Sequence, residues 1–353
     1  MTAEGGPALR TADFDYPLPE DLVASHPADR RDESRLLVLE RRGGSLTDRR
    51  FPDLLEYLAE GDALVVNDSR VFPARLRGRK PTGAPAEVLL LRPLPDDPER
   101  RLWQALVRPG GKLKPGRIVE IADGLQVVVE ESFEDGSRRV RLVGEGDPWD
   151  LIERHGEVPL PPYIRRPGET VDRERYQTVY ARERGSVAAP TAGLHFTARL
   201  LEQIEALGVS VVPVTLHVGV GTFRPVDAER VQDHRMHSER FELSETAARV
   251  LNRARADGRR VWAVGTTSAR TLETAVAPDG TFESGAGWTD LFIHPPYDFR
   301  AVDALLTNFH LPRSSLLMLV AALAGRDRVL EAYRHAIERR YRLYSYGDAM
   351  LVV

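Results

Sequence analysis

Two dense blocks of small residues, hydroxyls and histidine stand close together in this chain: Ala189-Pro190-Thr191-Ala192-Gly193-Leu194-His195-Phe196 and His217-Val218-Gly219-Val220-Gly221-Thr222-Phe223. Histidine has the ordinary pKa that suits proton transfer near neutrality, and glycine lets backbone approach a ligand without a Cβ in the way. A third stretch, Gly265-Thr266-Thr267-Ser268, leads from an apolar strand into a helix. A helix N-terminus offers unpaired N–H groups and partial positive charge, a fit for a carboxylate or phosphate. Asn308 and His310 fall at the end of a further strand, and Tyr346 stands beside Asp348 in Tyr344-Ser345-Tyr346-Gly347-Asp348. Aromatic faces attract cations and stack on bases. Four histidines at strand ends, His195, His217, His294 and His310, point to one pocket, because ligands of α/β sheets bind outside the carboxyl ends of strands.

Two other readings of these residues are set aside. Gly219-x-Gly221 lacks the third glycine of a dinucleotide loop, and Pro225 stands where its helix should begin. His234-x-x-His237 has neither cysteines nor a helical His-x-x-x-His beside it, so it reads as a hydrogen-bonded turn and no metal is expected.

The elements that must position these residues follow from periodicity. From residue 186 onward strands and helices alternate: strands near 186–189, 209–216, 260–264, 289–293, 305–307 and 349–353, and helices near 198–207, 244–256, 267–276, 316–323 and 326–340. Thr197 and Ser244 are placed as N-caps. Residues 34–39 and 63–66 read as strands flanking a helix near 53–59. Between 72 and 150 the pattern changes to short β-rich runs at 87–91, 103–107, 118–121, 125–130 and 138–143, broken by Pro, Gly and Asp turns. The expected fold is therefore α/β, a sheet or barrel-like domain formed by 1–71 and 151–353, with a smaller all-β barrel inserted at 72–150.

Composition sets the remaining bounds. The chain has 353 residues, no cysteine, and 49 basic against 53 acidic side chains. Disulfides and thiolate chemistry are excluded, and no global charge pulls the chain toward a polyanion. Nucleic-acid binding would need a local patch, for which Arg70, Arg75, Arg77, Arg79 and Lys80 are candidates, with further arginines at 165–184 and 334–342. The first dozen residues hold no apolar leader, and the apolar run at 316–324 is far short of the roughly 20 residues that span a bilayer. A cytoplasmic protein, not bound to membrane, is expected.

Several long strings resemble one family, the S-adenosylmethionine:tRNA ribosyltransferase-isomerases of queuosine biosynthesis. They include Asn67-Asp68-Ser69-Arg70-Val71-Phe72-Pro73-Ala74-Arg75-Leu76, Gly156-Glu157-Val158-Pro159-Leu160-Pro161-Pro162-Tyr163-Ile164, the two opening blocks, Met236-His237-Ser238-Glu239 and Ser345-Tyr346-Gly347-Asp348-Ala349-Met350. Ile293-His294-Pro295-Pro296-Tyr297 departs from the family at His294 and Pro296, which removes weight from His294.

The resemblance implies transfer of the ribosyl part of S-adenosylmethionine, a co-substrate and not a resident cofactor, to 7-aminomethyl-7-deazaguanine in tRNA. Epoxyqueuosine-tRNA, adenine and methionine are the implied products, and the expected enzyme is a monomer. On that basis His195 and His217 are placed first as proton-transfer groups, with His310 and Asp348 next. Thr191, Gly193, Gly219, Gly221, Thr222 and Asn308 are expected around the substrate. Gly265, Thr266, Thr267 and Ser268 would hold the methionine carboxylate, and Phe196, Phe223 or Tyr346 would face the sulfonium or adenine. A methyltransferase would instead release S-adenosylhomocysteine, and a noncatalytic RNA reader would consume no S-adenosylmethionine.

Overall fold

The computed structural model describes residues 9–95, 97–219, 221 and 226–353. Thr222 and Phe223 lie outside the described residues. After three short 3-10 stretches comes an antiparallel hairpin, β1 (Arg35–Leu39) and β2 (Leu46–Arg50). Strand β3 (Ala63–Asn67) and the short β4 (Ser69–Val71) come next. Between them Asp68 accepts a hydrogen bond from Thr215 Oγ1 at 2.7 Å and pairs with Arg182 at 2.9 Å.

Strands β5 (Arg75–Arg79), β6 (Pro85–Pro93), β7 (Leu102–Arg108), β8 (Ile118–Ala122), β9 (Leu125–Ser132) and β10 (Arg138–Gly144) close into a barrel in the order β10-β7-β6-β5-β8-β9. Period-two alternation fills it: Val88 and Leu90, Trp103 and Ala105, Val127 and Val129, and Val140 and Leu142 meet in one buried cluster. Helix α1 (Pro148–His155) follows and sets Trp149 edge-on against Phe72 and Trp103. Then come α2 (Asp172–Arg175) and β11 (Glu183–Ser186), the latter paired with β4.

The rest of the chain is α3 (Ala198–Ala206), β12 (Ser210–Leu216), β13 (Glu239–Leu243), α4 (Glu245–Ala256), β14 (Val261–Val264), α5 (Gly265–Ala275), β15 (Gly285–Thr289), β16 (Ala304–Asn308), α6 (Ser315–Ala324), α7 (Arg326–Glu338) and β17 (Ala349–Val352). Thr197, Ser244 and Ser314 cap α3, α4 and α6, each hydroxyl accepting the N–H three residues on at 3.1, 3.1 and 3.2 Å.

Among the described residues nine strands form an open mixed sheet in the order β15-β13-β12-β3-β14-β16-β17-β1-β2. Alternation along its central strands sends Leu37, Val65, Ala263, Leu305 and Met350 to one face, against Leu251, Leu272, Leu319 and Tyr333 of α4 to α7. The neighbouring residues Leu36, Leu64, Trp262, Leu306 and Leu351 face the other way, against Phe51, Leu54 and, on α3, Leu200 and Ile204. Both faces are covered, so the central strands read as unbroken apolar runs, as in other sheets of largely parallel core.

The expected sheet with a β-barrel is present, and the larger sheet is open, not barrel-like. Four local expectations shift. Residues 75–79, taken as a charge cluster, are strand β5, with Leu76 in the barrel core and Arg77 and Arg79 outside. The expected helix at 53–59 is a single tight 3-10 stretch, Phe51–Glu56. The strand at 186–189 is Glu183–Ser186, because Val187 leaves β4 to pair with Val218. The strand expected at 289–293 ends at Thr289, because the Arg270 guanidinium gathers the carbonyls of Thr289 and Leu291 and bends the chain between them.

Candidate active site

Strands β3, β12, β14 and β16 run parallel, so their carboxyl ends share one edge of the sheet. Strand β17 is antiparallel to β16 and parallel to β1, so the segments entering β17 and β1 arrive at that same edge. That geometry gathers five distant stretches: 189–192 and Val218, the start of α5, 307–311, and 344–345. A pocket opens among them. Of the residues chosen from sequence, Thr191, Gly265, Thr266, Thr267, Asn308 and His310 line it.

Among its described lining residues none is Asp, Glu, Lys or Arg. His310 is the one lining side chain with an ordinary pKa near neutrality, and burial pushes it down to about 3. The ring is therefore neutral at physiological pH. Its Nε2 lies 2.7 Å from Thr307 Oγ1, and its backbone N–H donates to the Tyr333 hydroxyl at 2.8 Å, which holds the ring at the pocket wall. Tyr163 and Tyr344 supply aromatic faces with centroids 4.7 Å apart, and burial pushes the Tyr344 phenol up to about 12.

The start of α5 contributes donors. Gly265 has φ +87°, a left-handed turn that glycine accepts readily, and it lets the chain swing from β14 into the helix. No side chain caps this helix, and Thr267 Oγ1 is buried without a hydrogen-bond partner. Ser268 does not face the pocket: its hydroxyl donates back to the Val264 carbonyl at 2.8 Å.

His195 and His217, the first choices for proton transfer, do not line this pocket. The His195 ring stacks on Phe51 and engages both nitrogens, Nδ1 with Ser34 Oγ at 2.7 Å and Nε2 with Asn308 Nδ2 at 3.1 Å. Burial, then the charges of Arg31 and Arg342, push it down to about 3. His217 is half-buried against Gly185, with Nδ1 buried and unpartnered; burial and Arg240 lower its pKa.

Several further expectations are corrected by placement. Asp348 is a structural carboxylate: it accepts the Arg35 and Arg342 backbone N–H groups at 2.9 and 2.8 Å and pairs with the Arg35 guanidinium. Phe196 is buried in the core with Phe51 and Leu200. The Tyr346 hydroxyl donates to Asp172 at 2.8 Å, on the side away from Tyr344. Gly193 is needed where Tyr180 packs, since a Cβ would come within 2.0 Å of its hydroxyl. Gly219 and Gly221 lie beyond the pocket wall, the first donating its N–H to Glu239 at 2.8 Å and the second packed on His237.

Of the basic candidates, Arg70, Arg77 and Arg79 are exposed, while Arg75 pairs with Glu87 and Arg77 with Glu157. Lys80 is half-buried. The lining residues Tyr163, Thr307, Tyr344 and Ser345 were not chosen from sequence. Tyr163 stood inside the proline-rich string, and Tyr344 differs from Tyr346 only in which way the chain turns it. A φ of +71° at Tyr344, rare for a bulky residue, sets that turn. His234 packs edge-on against Phe292.

The chain as a whole matches a known family. Residues 11–352 fit the family model described as queuosine biosynthesis protein, and the chain belongs to that family. Its curated relatives include proteins of Heliobacterium modesticaldum, 52% identical over 98% of this chain and 100% of that one, and of Symbiobacterium thermophilum, 54% identical over 98% and 100%. Both are named S-adenosylmethionine:tRNA ribosyltransferase-isomerase. A crystal structure of an S-adenosylmethionine tRNA ribosyltransferase from Thermotoga maritima is 41% identical, covers 97% of this chain and 100% of its own, and superposes with a TM-score of 0.56.

Proposed function

We propose that the protein transfers and isomerises the ribosyl part of S-adenosylmethionine onto 7-aminomethyl-7-deazaguanine at the tRNA wobble position. The products are epoxyqueuosine-tRNA, adenine and methionine. The observation that carries the reading, with the family, is a pocket whose described lining residues carry no formal charge and include one near-neutral titrating side chain, His310, beside a helix start without a side-chain cap and an aromatic pair.

The reaction needs a base to remove a proton next to the sulfonium, giving an ylide. Adenine then leaves with a proton, the tRNA amine attacks the ribosyl carbon, and closure of the epoxide expels methionine. His310, neutral before the reaction, can accept the first proton and return it later. The start of α5 suits the methionyl carboxylate, and Tyr163 and Tyr344 suit the sulfonium or the adenine. Residues 72–150 act as an inserted unit whose strand β5, with Arg77 and Arg79 exposed on it and Arg70 beside it, meets tRNA phosphates. No resident cofactor is required, and the enzyme works as a monomer in the cytoplasm. No helix among the described residues is long and apolar enough to cross a membrane.

The test is incubation with labelled S-adenosylmethionine and a tRNA carrying 7-aminomethyl-7-deazaguanine, with mass spectrometry of the products. Adenine and methionine, with a ribosyl mass gain on the tRNA, are expected. S-Adenosylhomocysteine, or tRNA binding without turnover, would overturn the proposal.

A further inference from the structure

His195 is buried at 4% exposure, both of its nitrogens are engaged, and it does not line the pocket, yet it touches a residue that does. Its proton can be placed by elimination. The Tyr344 carbonyl can only accept, so the Asn308 group 3.2 Å from it must be the amide NH2. The same NH2 lies 3.1 Å from His195 Nε2, which must then be the accepting nitrogen. A neutral imidazole carries its one proton on the other nitrogen, so Nδ1–H donates to Ser34 Oγ at 2.7 Å. Ser34 Oγ in turn reaches the Arg31 carbonyl at 3.5 Å.

This chain of bonds prevents the Asn308 amide from flipping and leaves Oδ1 as its unused end. Oδ1 is buried and has no partner, in a side chain only 2% exposed that lines the pocket. An unpartnered buried acceptor calls for a donor. The α5 side of the same pocket has the opposite character: uncapped helix N–H groups and Thr267 Oγ1, unpartnered and 8% exposed. An acceptor in one place and donors in another are what a zwitterionic amino acid group requires.

We propose that Asn308 Oδ1 receives the ammonium of the methionyl end of S-adenosylmethionine while the start of α5 holds its carboxylate, and that His195 is the positioning residue that aims the amide. The ligand's identity rests on the ribosyl-transfer reading above. His195 is then not the base: a proton added at Nε2 would face the amide hydrogens.

The test uses the full-length protein and calorimetric binding of methionine and of 4-(methylthio)butanoate, which keeps the carboxylate and lacks the amine. Wild type is expected to prefer methionine by about 10-fold or more, as for a hydrogen bond to a charged group. Asn308→Leu should erase that preference while holding the butanoate within about 3-fold. His195→Ala should lose most of it and raise KM for S-adenosylmethionine about 10-fold with kcat within about 3-fold, and His195→Gln, whose amide oxygen can accept from Asn308, should restore it.

If Asn308→Leu does not fold, Ser34→Ala reads the same chain of bonds and should lower the preference several-fold. Equal affinities in wild type, no measurable methionine binding, or a preference unchanged in these variants overturns the inference. So does a kcat loss of about 100-fold in His195→Ala with KM and preference intact, which would make His195 a proton-transfer group. Failure of wild type to make adenine and methionine from S-adenosylmethionine would instead sink the functional reading, and the methionine preference is measured independently of it.

Discussion

Acid should unfold this protein through two histidines that do not touch each other's partners. His195 and His310 are both held near pKa 3 against an ordinary 6.5. The native state therefore favours the neutral ring. The stability this gives is complete above pH 6.5 and is lost as pH falls toward 3. At pH 5 an exposed histidine is about 97% protonated and a ring with pKa 3 about 1%, a difference of about 2 kcal/mol for each and about 4 kcal/mol together. Both side chains are buried, so solvent screening does not reduce the figure. Urea unfolding at pH 8 and at pH 5 measures it. Wild type should lose about 4 kcal/mol or more, since His217 and His234 are lowered too, and His195→Gln and His310→Gln should each lose about 2 kcal/mol less. Glutamine variants with the same pH dependence as wild type would refute the reasoning.

Two further outcomes follow from buried and exposed charge. Glu239 and Arg270 form an ion pair 6% and 4% exposed that ties Gly219 to the helix lining the pocket. Glu239→Ala should cost about 3–5 kcal/mol by stranding the guanidinium, and Glu239→Leu with Arg270→Met should recover most of it. A loss below about 1 kcal/mol by chemical unfolding would contradict this. Arg70 and Arg79 have no carboxylate at ion-pair distance among the described residues, whereas Arg75 pairs with Glu87. Arg70→Ala or Arg79→Ala should flatten the dependence of log K for tRNA on log salt by about 0.7–0.9, and Arg75→Ala by less. Equal slopes for all three would deny the phosphate role.

Local pattern was enough to identify most elements. The barrel strands announced themselves because one buried face imposes period two, and the α/β half because apolar strands alternate with helices, two of them capped by Thr197 and Ser244. Strand β5 escaped notice because its outward positions are all arginine and an inward one is Gly78, whose missing Cβ admits the Glu120 carbonyl. Strand β15 escaped because its sequence, Gly285-Ala286-Gly287-Trp288-Thr289, buries little and is held by pairing with β13.

The sequence by itself determined that strand-end motifs gather at one edge of the sheet, because the carboxyl ends of parallel strands meet wherever those strands align. It also determined the family, through strings too long to arise by chance. Only the tertiary structure decided how each residue is held there. The two ring nitrogens of His195 meet Ser34 and Asn308, both far along the chain, whereas His310 Nε2 meets Thr307, three residues before it, and the His310 backbone N–H meets the Tyr333 hydroxyl. Tyr344 and Tyr346 are two residues apart, yet one faces the pocket and the other Asp172, a choice made by one backbone angle and the packing around it.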